Sequence, residues 1–148
     1  MSIVNIGKNI SSTLLLPNVG KNRISTILQT YSNNDWRRYI DPNIGLNVYS
    51  KTKVYEDNMI NMYVATWKPG YISTIHSHNP VGCWYRILQG ELVERQYDPD
   101  TLFLSRFSVL NNPDTMYIND SIAFHSVENR DDINSAASIH VYPKTINV

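Results

Sequence analysis

Two of the four histidines in this 148-residue chain, His76 and His78, stand one residue apart, and its only cysteine, Cys83, follows five residues later. Neutral imidazole nitrogens suit zinc, copper or iron. Side chains two apart on a strand leave the same face, so such a pair could grip one ion. The remaining histidines, His125 in IAFHSVEN and His140 in SIHVY, also fall in strand-like runs. Within the second run Ser138, His140 and Tyr142 share a face. Ordinary strand histidines, hydrogen-bonded in a core or at a surface, would fit these residue types equally well. The spacing around the pair is what weighs against that simpler reading.

The elements that must position these residues are mostly strands. From residue 46 the pattern has period two and is broken by turns. Candidate strands are LNVYS (46–50), NMYVATW (61–67), GCWYRILQ (82–89), ELVERQY (91–97), LFLSRFSVL (102–110), IAFHSVEN (122–129) and AASIHVY (136–142). Pro69-Gly70, Asn79-Pro80, Gly90 and Asp98-Pro99-Asp100 mark turns between them. Many short strands at this spacing point to an all-β sandwich or barrel. Ahead of them, Ile24, Ile27, Leu28 and Tyr31 are spaced like one helical face, and DWRRYI reads as a second short helix N-capped by Asp35 and stopped before Pro42.

Composition narrows the setting. Lys plus Arg and Asp plus Glu both total 13, so formal net charge is zero. That gives no electrostatic case for nucleic acid or an anionic membrane as partner. A single cysteine forms no internal disulfide, and the apolar run Leu14–Leu16 is too short for a signal-peptide core or membrane span. The expectation is a cytoplasmic monomer with one domain over residues 1–148. Its helical segment, about residues 1–42, packs on the barrel.

Gly70, His76-x-His78, Cys83 and Gly90 fall at spacings that resemble the first motif of the cupin family, with Cys83 where a cupin has its glutamate ligand. His125 and Asn129 resemble the end of the second motif, although Asp120 and Ile122 stand where its proline and glycine belong. The longer segments HSHNPVGC, LQGELVE, YINDSIAFHSVEN and SIHVYP resemble the cysteine dioxygenase family, the thiol dioxygenases of that superfamily. The likeness runs from about Trp36 onward, and the chain ends soon after Tyr142, before the family's longer C-terminal tail.

That resemblance implies a cupin (double-stranded β-helix, jelly-roll) barrel and one Fe(II) per chain, held by His76, His78 and His125. It implies a thioether crosslink between Cys83 and Tyr142, and a relay of Ser138, His140 and Tyr142 aiming the tyrosine hydroxyl at substrate and O2. It places Tyr49 and Lys51 with the substrate and Trp67 beneath the site. The reaction implied is oxidation of L-cysteine by O2 to cysteine sulfinic acid, the first step toward taurine. Cysteine-specific members carry arginine where Lys51 stands, and Lys53 is a rival for the position. Arginine grips a carboxylate with a two-pronged fork; lysine offers a point charge. 3-Mercaptopropionate or another small thiol is therefore the alternative substrate. Losing the glutamate ligand argues against isomerase or quercetinase-like cupins. A metal-binding cupin without turnover is the remaining alternative, and it would have no use for the Ser138–His140–Tyr142 strand.

Overall fold

The computed structural model describes residues 1–40, 49–78 and 80–144. Two α-helices open the chain, α1 (Ile3–Leu14) and α2 (Lys21–Gln29), followed by a 3-10 turn at Asp35–Tyr39. Eight strands follow: β1 (Ser50–Glu56), β2 (Ile60–Trp67), β3 (Cys83–Gln89), β4 (Glu91–Tyr97), β5 (Leu104–Asn111), β6 (Thr115–Ile118), β7 (Phe124–Glu128) and β8 (Ala136–Pro143). They form a five-stranded sheet in the order β1-β2-β8-β3-β6 and a three-stranded sheet in the order β5-β4-β7. Every pairing is antiparallel. This is the two-sheet arrangement expected of a cupin barrel.

Strand alternation gives the larger sheet two different faces. One face carries Met62 and Val64 of β2, Trp84 of β3, and Ile139 and Val141 of β8. It is sealed by Ile3, Ile6 and Ile10 of α1 and by Ile24 and Leu28 of α2. The opposite face carries Ala65, Trp67, Cys83, Tyr85 and Ile87, which meet Leu92, Leu110 and Val127 from the smaller sheet. The register sets Tyr63 against His140, His140 against Tyr85, and Ala65 against Ser138. Antiparallel partners share a face, so His140 and its neighbours point between the sheets.

Both helices fall within the expected helical segment, and two details of it rest on tertiary contacts. Helix α1 has no clear sequence signal because Gly7 and a run of Ser and Thr give it little intrinsic propensity. It forms because Ile3, Ile6 and Ile10 are all fully buried, and because Ser2 Oγ caps Asn5 N at 3.2 Å. Asp35 was expected to cap its own helix. Instead Asn34 occupies that cap position without a side-chain bond, and the Asp35 carboxylate accepts from Ile3 N at 3.0 Å and Tyr31 Oη at 2.5 Å. It thus ties the start of α1 to the end of α2. Replacing Asp35 with alanine strands both donors and is expected to cost about 1–3 kcal/mol, read as a lower thermal midpoint; an unchanged midpoint would show that the tie is inert.

Most of the strand expected at 46–50 lies outside the described residues. Residues 41–48, with Pro42, lie outside the described residues, and β1 begins only at Ser50. The short β6 has four residues, too few for a periodic signal.

Candidate active site

His76 and His78 were expected to share a strand face. They sit instead in an extended segment that clings to the edge of β7. His76 N donates to His125 O at 2.9 Å, and His125 N returns to His76 O at 3.1 Å. Asp120 accepts from the backbone N of His78 and so fixes the second half of the pair. Gly82 has φ of 72°, and a Cβ there would run into the backbone oxygen of Ile118. Only glycine lets the chain turn this tightly into β3 directly before Cys83.

One ring nitrogen from each of His76, His78 and His125 lies within 4.8 Å of the others. Their hydrogen bonding fits the group for a metal. His76 Nδ1 faces Thr74 O at 2.9 Å, and His125 Nδ1 faces the Glu94 carboxylate at 2.9 Å. Both Nδ1 atoms must therefore carry the proton. The two Nε2 atoms turn away from those partners and face each other at 2.9 Å. That approach needs a shared cation between the two nitrogens, a metal ion or a proton. His78 Nδ1 is buried with no hydrogen-bond partner, a further nitrogen left for an ion. Burial and the neighbouring histidines lower the His78 pKa to about 3, so its ring is neutral and ready to ligate at neutral pH. The three residues thus fit a divalent transition metal through nitrogen donors alone.

A pocket of about 330 Å³ opens over this group, lined by Tyr49, Lys51, His76, Ser77, His78, Cys83, His125, His140 and Tyr142. Trp67 lies behind its wall, not on it. Its Nε1 donates to Ser138 Oγ at 2.9 Å, and its ring meets Tyr49 edge-on at 4.9 Å. Ser138 Oγ sits 2.8 Å from His140 Nε2, and His140 Nδ1 sits 3.5 Å from Tyr142 Oη. An indole only donates, so the serine hydroxyl is free to donate to His140 Nε2. Burial first, then Lys51 and the other histidines, hold His140 far below the usual imidazole range, so it is neutral. Its remaining proton is then on Nδ1, facing Tyr142. Lys51 Nζ donates to the same Tyr142 oxygen at 2.7 Å. With both neighbours donating, the Tyr142 O–H is left to point into the pocket.

A family model described as Cysteine dioxygenase type I matches residues 2–147 of this chain. The chain belongs to that family. A zebrafish (Danio rerio) cysteine dioxygenase type 1 is 32% identical over 128 residues, covering 80% of this chain and 63% of the relative. The human (Homo sapiens) protein of that name is 30% identical over 132 residues, covering 84% and 65%. The chain therefore spans just under two thirds of the length of these curated relatives. Among solved structures, a Klebsiella pneumoniae protein with a double-stranded β-helix domain aligns with a TM-score of 0.58 at 18% identity, covering 79% of this chain and 94% of that one. A Thermus thermophilus protein aligns with a TM-score of 0.57 at 19% identity, covering 76% and 98%. These structural neighbours establish the cupin fold.

The residues that the cysteine dioxygenase resemblance singled out gather at one pocket, apart from Trp67 and Ser138, which support it from behind. Cys83 and Tyr142 stand one step beyond the cross-strand pair Trp84 and Val141, so they face each other from β3 and β8. Burial pushes the Cys83 thiol up to about 12, which keeps it neutral. The two lysines separate clearly. Lys51 lies at the pocket mouth with its ammonium 4.0 Å above the Tyr142 ring and 4.8 Å from that of Tyr63, whereas Lys53 pairs with Glu56 at 2.7 Å. Glu94, Tyr85 and Gln96 escaped sequence reading. Alternation does put Glu94 in phase with the core residue Leu92, but Val93 on the other phase is equally buried, so ELVERQY gives no clean inward face.

Proposed function

We propose that this chain is a mononuclear non-haem Fe(II) thiol dioxygenase that oxidises L-cysteine to cysteine sulfinic acid. His76, His78 and His125 hold the iron, one ion per chain. The observation that carries the reading is the three-histidine group opening into the same pocket as Tyr142 and Lys51. A pure metal store has no need of a tyrosine hydroxyl and an ammonium beside the ion. Family membership supports the oxidoreductase class. No helix among the described residues is long and apolar enough to cross a membrane. The proposed setting is a cytoplasmic monomer of one cupin domain.

Bound iron would supply the one-electron chemistry that lets O2 react with a closed-shell thiolate. The protein's own groups do the rest. Lys51 has no carboxylate partner among the described residues and offers its charge to the substrate carboxylate. Tyr142 presents its O–H toward the reacting sulfur and oxygen, aimed by His140, Ser138 and Trp67. Holding these groups in place before substrate arrives removes the entropy of assembling them. Both atoms of one O2 are added to one thiol, so no reductant is consumed, and the sulfinic acid formed is a rung that thiols do not reverse.

Oxygen uptake by iron-loaded protein, with L-cysteine, 3-mercaptopropionate and cysteamine compared, tests this reading. Uptake with the two carboxylates and little with cysteamine is expected. Faster turnover of 3-mercaptopropionate than of cysteine would favour the alternative substrate, which a single lysine charge also suits. No uptake with any thiol would leave a metal-binding cupin without turnover.

The same reading includes a thioether between Cys83 Sγ and the Tyr142 ring carbon beside the hydroxyl. The S–H and one ring C–H are lost, with O2 as the oxidant. After aerobic turnover the intact mass should fall by two hydrogens and Cys83 should resist alkylation. A thiol that alkylates fully in every chain would disprove the link.

A further inference from the structure

Glu94 has no exposed surface, and it lies on β4 between the two sheets. Its Oε2 accepts a hydrogen bond from His125 Nδ1 at 2.9 Å and another from the hydroxyl of Tyr85, which reaches across from β3. Its Oε1 accepts from Gln96 Nε2 at 2.8 Å. Three donors converge on this carboxylate, the surroundings that suit a buried anion. An unpaired charge at such depth is costly. No lysine or arginine among the described residues forms an ion pair with it; the only ion-pairing partner is His125.

A metal ion held by His125 would supply the missing countercharge. A cupin with a glutamate ligand puts one negative charge directly on its metal. Here that position is Cys83, a buried neutral thiol, so three imidazoles alone would leave a divalent ion uncompensated. A carboxylate on the outer nitrogen of a ligating histidine orients the ring and raises its basicity.

We infer that Glu94 is a positioning residue that returns, through His125, the negative charge given up at position 83, and that Tyr85 sets its strength by competing for the same carboxylate oxygen. The inference rests on the iron reading above. It makes the two residues act with opposite sign. Removing the Glu94 charge takes electron density from His125. Removing the Tyr85 hydroxyl frees the carboxylate to draw harder on the His125 proton.

Fe(II) affinity by chelator competition and the Fe(III)/Fe(II) midpoint potential, measured on the full chain, test this directly. Glu94→Gln should weaken Fe(II) binding about 10- to 100-fold and raise the potential, because ferric iron loses the nearby charge. Tyr85→Phe should lower the potential and leave Fe(II) affinity within a few-fold of wild type. A packing role alone would move both potentials the same way or neither, and either outcome overturns the inference. Should Glu94→Gln fail to fold, Tyr85→Phe decides: a lower potential supports the inference, an equal or higher one overturns it. A wild-type chain that binds no iron would overturn the iron reading and this inference with it. Iron bound normally by Glu94→Gln would overturn the inference alone.

Discussion

Replacing His125 with alanine should abolish both iron binding and thiol-dependent oxygen uptake. His125 is the one histidine of the metal group that comes from β7; His76 and His78 come from a single extended segment beside it. Without it, two neighbouring imidazoles face open solvent on one side and cannot enclose an ion. The ring is buried and takes Glu94 as its outer partner, so its loss also leaves that carboxylate short of a donor. The affinity drop should therefore exceed the roughly 100-fold that removal of an outer partner alone can cost. His140→Ala is the informative contrast. His140 is just as buried, but its nitrogens face Ser138 and Tyr142. That variant should keep its iron and lose about 10- to 100-fold in turnover, the usual cost of an orienting group. Loss of iron in both variants would mean that His140, not the Tyr142 hydroxyl, is what the strand delivers to the pocket.

Lys51→Ala should raise KM for cysteine and 3-mercaptopropionate while leaving that for cysteamine nearly unchanged. The ammonium sits at an exposed mouth, so its bond to a carboxylate lies between a solvent-reachable ion pair and a buried charged hydrogen bond. That corresponds to about 1–2 kcal/mol, or roughly 5- to 30-fold. Lys51 also donates to Tyr142 at 2.7 Å, so a fall in kcat with every thiol should accompany the selective KM effect. Lys53→Ala is the control, because Lys53 is held by Glu56 at the surface. Equal KM effects on carboxylate thiols and cysteamine would remove the substrate role assigned to Lys51.

Most of the site was legible because strand alternation and motif spacing are local. Ser138, His140 and Tyr142 share a face by parity alone, and the pairings confirm that parity. The number of short strands and their turns pointed to a sandwich or barrel, and the motif resemblance narrowed that to the cupin barrel. The parts that escaped depend on contacts distant in sequence. Helix α1 forms through burial against α2, β1 and β2, elements its own sequence does not reveal. Asp35 reads as a local cap but serves a helix 32 residues earlier. Glu94 looks like any strand glutamate until Tyr85 and His125 close on it from other strands. Likewise, the choice between Lys51 and Lys53 turns on which lysine meets Tyr142, a residue of the last strand.

The most direct test of the thiol dioxygenase reading is turnover of L-cysteine by iron-loaded protein under ¹⁸O₂. One O2 should be consumed per thiol lost, and the sulfinic acid should carry two heavy oxygens. Oxygen uptake that yields only cystine and peroxide, or a sulfinic acid with oxygen from water, from protein shown to hold iron at its three histidines would contradict it.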